Sequence, residues 1–260
     1  MQVTTERVLG RQTTLALTLM TSGVKDLPIA LLLHGAQRNR SVMVRVGEAL
    51  SERFDVALCD LPGHGESETP IDVSVDDYAL EIVHLLLLRF PGRPVLLIGE
   101  SIGGVIGLRA AADPRLDIRW LVLLDPPLTT AKQWHIRANS LKAMRQEASP
   151  FRRLFSAAMF GVFDQDRQED RIYYDLLADL QAPCLILTGD LPLHPQRESP
   201  KPMCCLDATD FWVIQKSYAD KVLLARVKGA GHTVLTDQGQ ACLETIAHFV
   251  GSHPMAKAAA

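Results

Sequence analysis

Val95-Leu-Leu-Ile-Gly99-Glu100-Ser101-Ile102-Gly103-Gly104 is the stretch that decides the fold. An apolar run enters a G-x-S-x-G pattern and leaves it into the small residues of 102–112, the composition of a buried strand turning sharply into a helix. Glycine at 99 and 103 lets the backbone pass where a Cβ would collide with neighbouring chain. Ser101, at the apex, then projects at the carboxyl edge of a sheet. The pattern by itself is weak, and a tight turn with an inert serine is its plainer meaning; a strand before it and a helix after it make it specific.

Outward from this turn, β-branched and leucine-rich runs alternate with amphipathic stretches. Val3 to Leu9 and Thr13 to Met20, separated by Gly10-Arg11, predict an antiparallel hairpin at a sheet edge. Ile29 to His34 is predicted as a buried strand, Ser41 to Arg53 as a helix and Phe54 to Asp60 as the next strand. Ser74 caps a long helix, with Asp77 three residues on as a variant capping box and Tyr78, Ile82, Leu85, Leu86 and Phe90 on one face. Pro91-Gly92 ends it. Pro94 to Gly99 and Ile118 to Leu124 are further strands, the second closing on Asp125-Pro126-Pro127. Strand and helix in turn are the signature of an α/β fold, a parallel sheet with helices on both faces.

The regularity breaks after Pro127. No convincing strand follows until Cys184 to Thr188, and the intervening segment, rich in Arg, Phe and Met, is too long for a simple connection. Residues 127–182 are therefore expected to form an inserted helical lid, with 1–126 and 183–252 as the core. Asp190 to Thr209 holds Pro192, Pro195, Pro200 and Pro202, with Pro183 just upstream of the strand, and is predicted as a loop. Residues 222–227 form the last strand, Gly229 to His232 a turn and Gly239 to Val250 a closing helix. Residues 253–260 are expected to be a disordered tail.

Composition bounds the rest. The chain has 260 residues, 47% hydrophobic and 22% charged, with a net charge of −3, the proportions of an ordinary folded domain rather than a disordered one. That charge supplies no field to attract nucleic acid or an anionic surface. The N-terminus lacks the pattern of a secretory signal. The apolar runs are far shorter than the ~20 residues of a spanning helix. Five cysteines, Cys59, Cys184, Cys204, Cys205 and Cys242, lack metal-site spacing and fit reduced thiols in a cytoplasmic protein. A Cys204–Cys205 redox pair is the less economical reading.

A serine hydroxyl is a poor nucleophile at neutral pH unless a base takes its proton. Of the eight histidines, His232 is the candidate, because Lys228-Gly229-Ala230-Gly231-His232 follows the last strand and can return an imidazole over the sheet edge. His84 and His248 fall within helices, His253 in the tail, and His135 and His194 in segments without a supporting pattern. His34-Gly35-Ala36-Gln37 follows a buried strand, and its backbone can offer an N–H to an oxyanion beside that of Ile102.

With Asp60-Leu-Pro-Gly63-His64-Gly65-Glu66-Ser67 after the next strand, the chain resembles the α/β-hydrolase superfamily over nearly its whole length, in the right order. The resemblance implies a mostly parallel eight-stranded sheet with a lid after the sixth strand. It implies Ser101 as nucleophile, His232 as base, and the Ala36 and Ile102 amides as oxyanion hole, with His34 and the Asp60 to Ser67 loop shaping the site without doing chemistry.

The acid departs from the common pattern. Similar families place an aspartate three residues after the glycine ending the seventh strand; that strand ends here at Gly189, and the position holds Pro192. Asp125, at the end of the sixth strand, is the alternative used by some relatives. Asp190 lies one residue after Gly189, and Asp207 and Asp210 lie beyond the proline-rich stretch. All four remain candidates at this point.

A serine rather than an aspartate at the turn argues for acyl transfer from a small-molecule ester or thioester, needing neither metal nor cofactor. A carbon–carbon bond hydrolase, or a silent binding protein that keeps the fold, are the alternatives. Lys132, Arg137, Lys142, Arg145, Arg152 and Arg153 make the first half of the expected lid basic. Asp164, Asp166, Glu169, Asp170, Asp175 and Asp179 make the second half acidic. Solvated faces, or the halves pairing with each other, account for these charges more simply than an anionic substrate does. Phe151, Leu154, Phe155, Met159, Phe160 and Phe163 supply an apolar face, for packing or for an acyl pocket.

Overall fold

The computed structural model describes residues 1–146, 149–191 and 203–254. Pro192, His194, Pro195, Pro200 and Pro202, and the tail beyond Pro254, lie outside the described residues. Strands β1 (Gln2–Leu9), β2 (Thr14–Thr21), β3 (Ile29–Leu33), β4 (Asp55–Cys59), β5 (Val95–Glu100), β6 (Ile118–Leu124), β7 (Cys184–Gly189) and β8 (Val222–Val227) make one sheet. Its order is β1-β2-β4-β3-β5-β6-β7-β8. β1 pairs with β2, and β2 with β4, antiparallel; every later pairing is parallel. The eight-stranded, mostly parallel α/β sheet expected from the resemblance is present.

The central strands are buried on both faces, which is why they read as unbroken apolar runs. Successive side chains alternate between two cores. Ile29, Leu31, Leu33, Val95 and Leu97 face one core. Ala30, Leu32, Leu96 and Ile98 face the other. The first core is closed by α2 (Val75–Arg89) and α3 (Ile102–Ala111), the second by α1 (Val44–Leu50) and α7 (Val234–Ser252).

Helix α2 is capped as its sequence predicts: the Ser74 hydroxyl accepts from Asp77 N–H at 3.0 Å and donates to the Asp77 carboxylate at 2.6 Å. Its apolar face, with Tyr78, Ile82 and Leu85 at zero exposure, packs onto the sheet. Some boundaries differ from expectation. The stretch after β3 opens as a tighter turn at Arg40–Met43 before α1. α7 starts at Val234, before the predicted Gly239, with a break at Gln238 that lets the two pieces pack at different angles. Helix α6 (Ala208–Tyr218) has no counterpart in the predicted elements, although Asp207 and Asp210 form a capping box at its start.

Between β6 and β7 lie α4 (Trp134–Gln146), α5 (Pro150–Phe160) and a 3₁₀ turn at Tyr174–Leu177. Phe155, Met159 and Phe160 are buried there, while Leu154 is exposed. The charges of this segment pair partly with each other, as in Arg137 with Asp170. Lys132 instead reaches Asp207 and Asp210, at 2.7 and 3.0 Å. The chain is still docked at His253, whose carbonyl accepts from the Trp120 indole at 2.7 Å. Among the described residues no helix is long and apolar enough to cross a membrane.

The edge hairpin is tied to the core by a buried charge. Glu81 on α2, 1% exposed, accepts the backbone N–H groups of Arg11 at 2.8 Å and Gln12 at 2.6 Å in the β1–β2 turn. Removing that carboxylate leaves two amides without their acceptor. Glu81→Ala is expected to destabilise the fold by about 2 kcal/mol, measured as a lowered urea midpoint at unchanged slope.

Candidate active site

The turn from β5 into α3 is the strained one that the glycines foretell. Ser101 sits at φ 53°, ψ −124°, buried to 6% exposure, and its N–H is held by the Leu124 carbonyl at 2.8 Å. A Cβ at Gly99 would stand 2.4 Å from the Gly103 carbonyl, and one at Gly103 2.4 Å from that of His34. Both positions therefore exclude any side chain. Gly35 approaches less tightly on the other side, where a Cβ would be 3.2 Å from that of Ser101. This presses the Gly35-Ala36 backbone against the serine, while Ile102 opens α3, where helix amides have no intrahelical acceptor.

His232 arrives on the loop after β8. The loop is shaped by Gly229 at φ 72°, whose N–H donates to Asp190 Oδ1 at 2.8 Å, and by Gly231, whose N–H donates to Asp237 Oδ2 at 2.8 Å. The imidazole spans two partners: Nδ1 lies 2.6 Å from Asp125 Oδ2 and Nε2 lies 3.0 Å from Ser101 Oγ. A carboxylate only accepts, so the ring proton sits on Nδ1 and Nε2 accepts from the serine hydroxyl. Burial opposes a charge on this ring. The hydrogen bond and charge of Asp125, with the charge of Glu100, outweigh it and hold the His232 pKa above 6.5.

Asp125 follows β6 in the left-handed region, at φ 47°, with zero exposure. Beyond the imidazole it accepts from Thr188 Oγ1 at 2.5 Å, Cys205 N at 2.7 Å and Leu206 N at 3.4 Å. The other aspartates are engaged elsewhere. Asp190 is exposed and organises the turn before His232 through its bond to Gly229, so it does not face the ring. Asp207 caps α6, and Asp210 is buried against Tyr174 and Lys132.

His34 and the Asp60 to Ser67 loop serve as scaffold. Burial drives the His34 pKa down to about 4, and its neutral ring donates to the Gly35 carbonyl while accepting from Leu61 N–H. Asp60 takes the Arg40 and Glu66 amides at 2.6 and 2.9 Å.

Two features escaped the sequence reading. Glu100, inside the G-x-S-x-G pattern, is 2% exposed and is held by Arg38 Nη1 at 2.7 and 2.9 Å. A charge within an apolar strand has to be paired when buried, and that was the available signal. The Cys205–Leu206 amides had none, because nothing local announces where the chain returns after the prolines.

A cleft of about 210 Å³ opens over Ser101, walled by Gly35 to Arg38, Glu100 and His232 on the sheet side and by His135, Ile136, Asn139, Ser140 and Phe160 across from it. Gln37 and Phe160 also wall a neighbouring cavity of about 200 Å³ lined by His64, Phe151 and Phe155. Of the apolar face noted in the sequence, Phe160 alone borders the first cleft.

A serine on a strained strand-to-helix turn, joined through an imidazole to a carboxylate at the carboxyl edge of a parallel sheet, is the arrangement of an α/β hydrolase. The family model for the alpha/beta hydrolase family matches residues 30–245, and the chain belongs to that family. A pimeloyl-[acyl-carrier protein] methyl ester esterase of Chromobacterium violaceum is 34% identical over a match spanning 46% of each chain, so less than half of that relative's length is covered. A 2-succinyl-6-hydroxy-2,4-cyclohexadiene-1-carboxylate synthase of Klebsiella pneumoniae is 28% identical over 89% of this chain and 97% of its own. The thermophilic esterase of Thermogutta terrifontis shares the fold with a TM-score of 0.69 at 18% identity, covering 96% of this chain and 100% of its own.

The imidazole's position sets a measurable titration. His232 is expected to titrate above 6.5 by NMR, and Asp125→Asn to bring it below wild type, since burial then acts with less opposition. In stability, the raised pKa is worth most below 6.5, and its contribution disappears as pH rises through the folded value.

Proposed function

We propose that the protein is a serine hydrolase that cleaves a carboxylic ester or thioester through an acyl-enzyme. The observation carrying this reading is the imidazole of His232, 3.0 Å from Ser101 Oγ through Nε2 and 2.6 Å from Asp125 through Nδ1. In this reading Nε2 takes the serine proton as Oγ attacks the acyl carbon, and Asp125 stabilises the imidazolium and fixes the ring's orientation. The Ala36 and Ile102 amides receive the charge on the former carbonyl oxygen. The imidazolium then protonates the leaving alcohol or thiol, and a water activated by the neutral ring releases the acid. In this reading Asp190 is not the acid; its carboxylate serves the Gly229 turn.

Residues 127–182 act as a lid in this reading, its α4 and α5 side chains walling the cleft. The aromatic cavity beyond Phe160 suits the apolar part of an acyl chain. The esterase relative supports ester chemistry. A second reading, chemistry other than ester cleavage by the same serine, draws on the relative that matches nearly end to end and is named a synthase rather than an esterase. Against a silent binding protein stands the Asp125 carboxylate, 2.6 Å from His232 Nδ1, which in this reading takes the role of the acid absent after Gly189. The five buried, free cysteines suit a reducing cytoplasm.

A fluorophosphonate probe is expected to label the wild type and not Ser101→Ala. On a short p-nitrophenyl ester, His232→Ala abolishes turnover. Asp125→Asn lowers kcat by about 10³–10⁴-fold, and Asp190→Asn by far less. A collapse in Asp190→Asn with Asp125→Asn active would reverse the assignment of the acid.

A further inference from the structure

No sequence spacing announces the group formed by Asp125, Cys205 and His232, yet the fold brings one potential ligand atom from each within 4.8 Å of the others. Cys205 Sγ lies 3.3 Å from His232 Nδ1, on the nitrogen that faces Asp125 Oδ2 at 2.6 Å. The ester chemistry proposed above uses no sulfur here, so the thiol is a nucleophilic group left over by the mechanism.

We propose that Cys205 Sγ, His232 Nδ1 and Asp125 Oδ2 form a site for a thiophilic divalent cation of the zinc class, and that its binding switches the hydrolase site off. One sulfur, one imidazole nitrogen and one carboxylate oxygen are the donor types such a cation takes. Tetrahedral bonds of about 2.0–2.3 Å place ligands roughly 3.3–3.7 Å apart. The sulfur already stands at that spacing from the ring nitrogen, and the imidazole and carboxylate need to part by about an ångström or less. The donors are anchored from outside: Thr188 Oγ1 and the Leu206 amide bond Asp125 Oδ1, and Gln133 Nε2 donates to the Cys205 carbonyl at 2.5 Å. These are the outer contacts that orient metal ligands. Cys205 and Asp125 are fully buried, whereas the His232 side chain is 19% exposed on the cleft, so a cation enters from there.

The consequence follows from a proton count. Before binding, Nδ1 carries a proton toward Asp125 and the sulfur is a thiol. The cation takes the place of both: the thiol proton leaves to solvent, so one proton is released in all, while the Nδ1 proton is exchanged to Nε2 and the ring stays neutral. That N–H donates to Ser101 Oγ and accepts nothing, so the serine loses its base. The inhibitory consequence rests on the proposed hydrolase chemistry; the binding itself does not.

Cobalt(II) makes the two separable, because thiolate ligation gives a charge-transfer band in the near ultraviolet whether or not the protein turns over. The band is expected in wild type, in Cys204→Ala and in the inactive Ser101→Ala, and not in Cys205→Ala or Cys205→Ser, both checked for folding by circular dichroism. Zinc is expected to inhibit wild-type ester hydrolysis reversibly on chelation. Each Cys205 variant, measured against its own uninhibited rate, needs a zinc concentration higher by more than the roughly 10–100-fold that loss of an outer-shell partner causes. No band in wild type and Ser101→Ala, or a band undiminished in folded Cys205→Ala, overturns the site whatever the hydrolase reading becomes. A band with unchanged hydrolysis overturns the switch.

Discussion

A buried carboxylate has to be met on every side, and the site is organised around that requirement at Asp125. An ionised group without compensation inside a protein loses several kcal/mol of solvation. Here the compensation comes from chain segments far apart in sequence: Thr188 at the end of β7, the Cys205 and Leu206 amides, and the His232 ring. None of these positions is adjacent to Asp125 in the chain, so satisfying one carboxylate fixes where three other segments must lie. The His232 loop is among them, and its ring is aimed at Ser101 as a result.

Backbone strain gathers around the same point. Among the described residues, the non-glycine positions at positive φ are Asp26, Gln37, Ser101 and Asp125. The last three border the cleft or hold the imidazole. Left-handed backbone costs roughly 1–2 kcal/mol per residue, and it persists only where the surroundings over-determine it. The central strands, buried on both faces, provide that rigidity. Ser101 N–H is held by the Leu124 carbonyl and Asp125 N–H by that of Leu187, so the strained residues hang directly from the ladder of β5, β6 and β7.

What the sequence made legible divides along the same line between local and long-range physics. The strands, the cap of α2 and the turn at Ser101 are written in consecutive residues, and they appear where expected. His232 was reachable because a glycine-rich turn after the last strand is also local. The acid was not, since Asp125, Asp190, Asp207 and Asp210 all stand at strand ends or beyond a proline-rich stretch. Which one meets the ring depends on where residues 203–206 return after β7, a matter of tertiary closure rather than of pattern. Helix α6 was missed for a related reason: its capping box begins one residue after that returning strip, inside what composition marked as loop. Glu100 was visible as a charge within an apolar strand, but its partner Arg38 lies far off in the chain, in the turn after β3.

The returning strip also joins the wall of the cleft to the support of its carboxylate. Lys132 and Gln133 precede α4, whose His135, Asn139 and Ser140 face Ser101 across the cleft. Gln133 Nε2 donates to the Cys205 carbonyl, and Lys132 binds Asp207 and Asp210 just beyond it. Tyr174, from the same inter-strand segment, closes on Asp210 from the other side. Asp210 has zero exposure, so its charge makes these contacts far less dispensable than surface pairs. A displacement of the start of α4 therefore pulls on the backbone whose amides hold Asp125. The segment that shapes the cleft and the strip that positions the carboxylate are mechanically one unit, and sequence change in the first is constrained by the second.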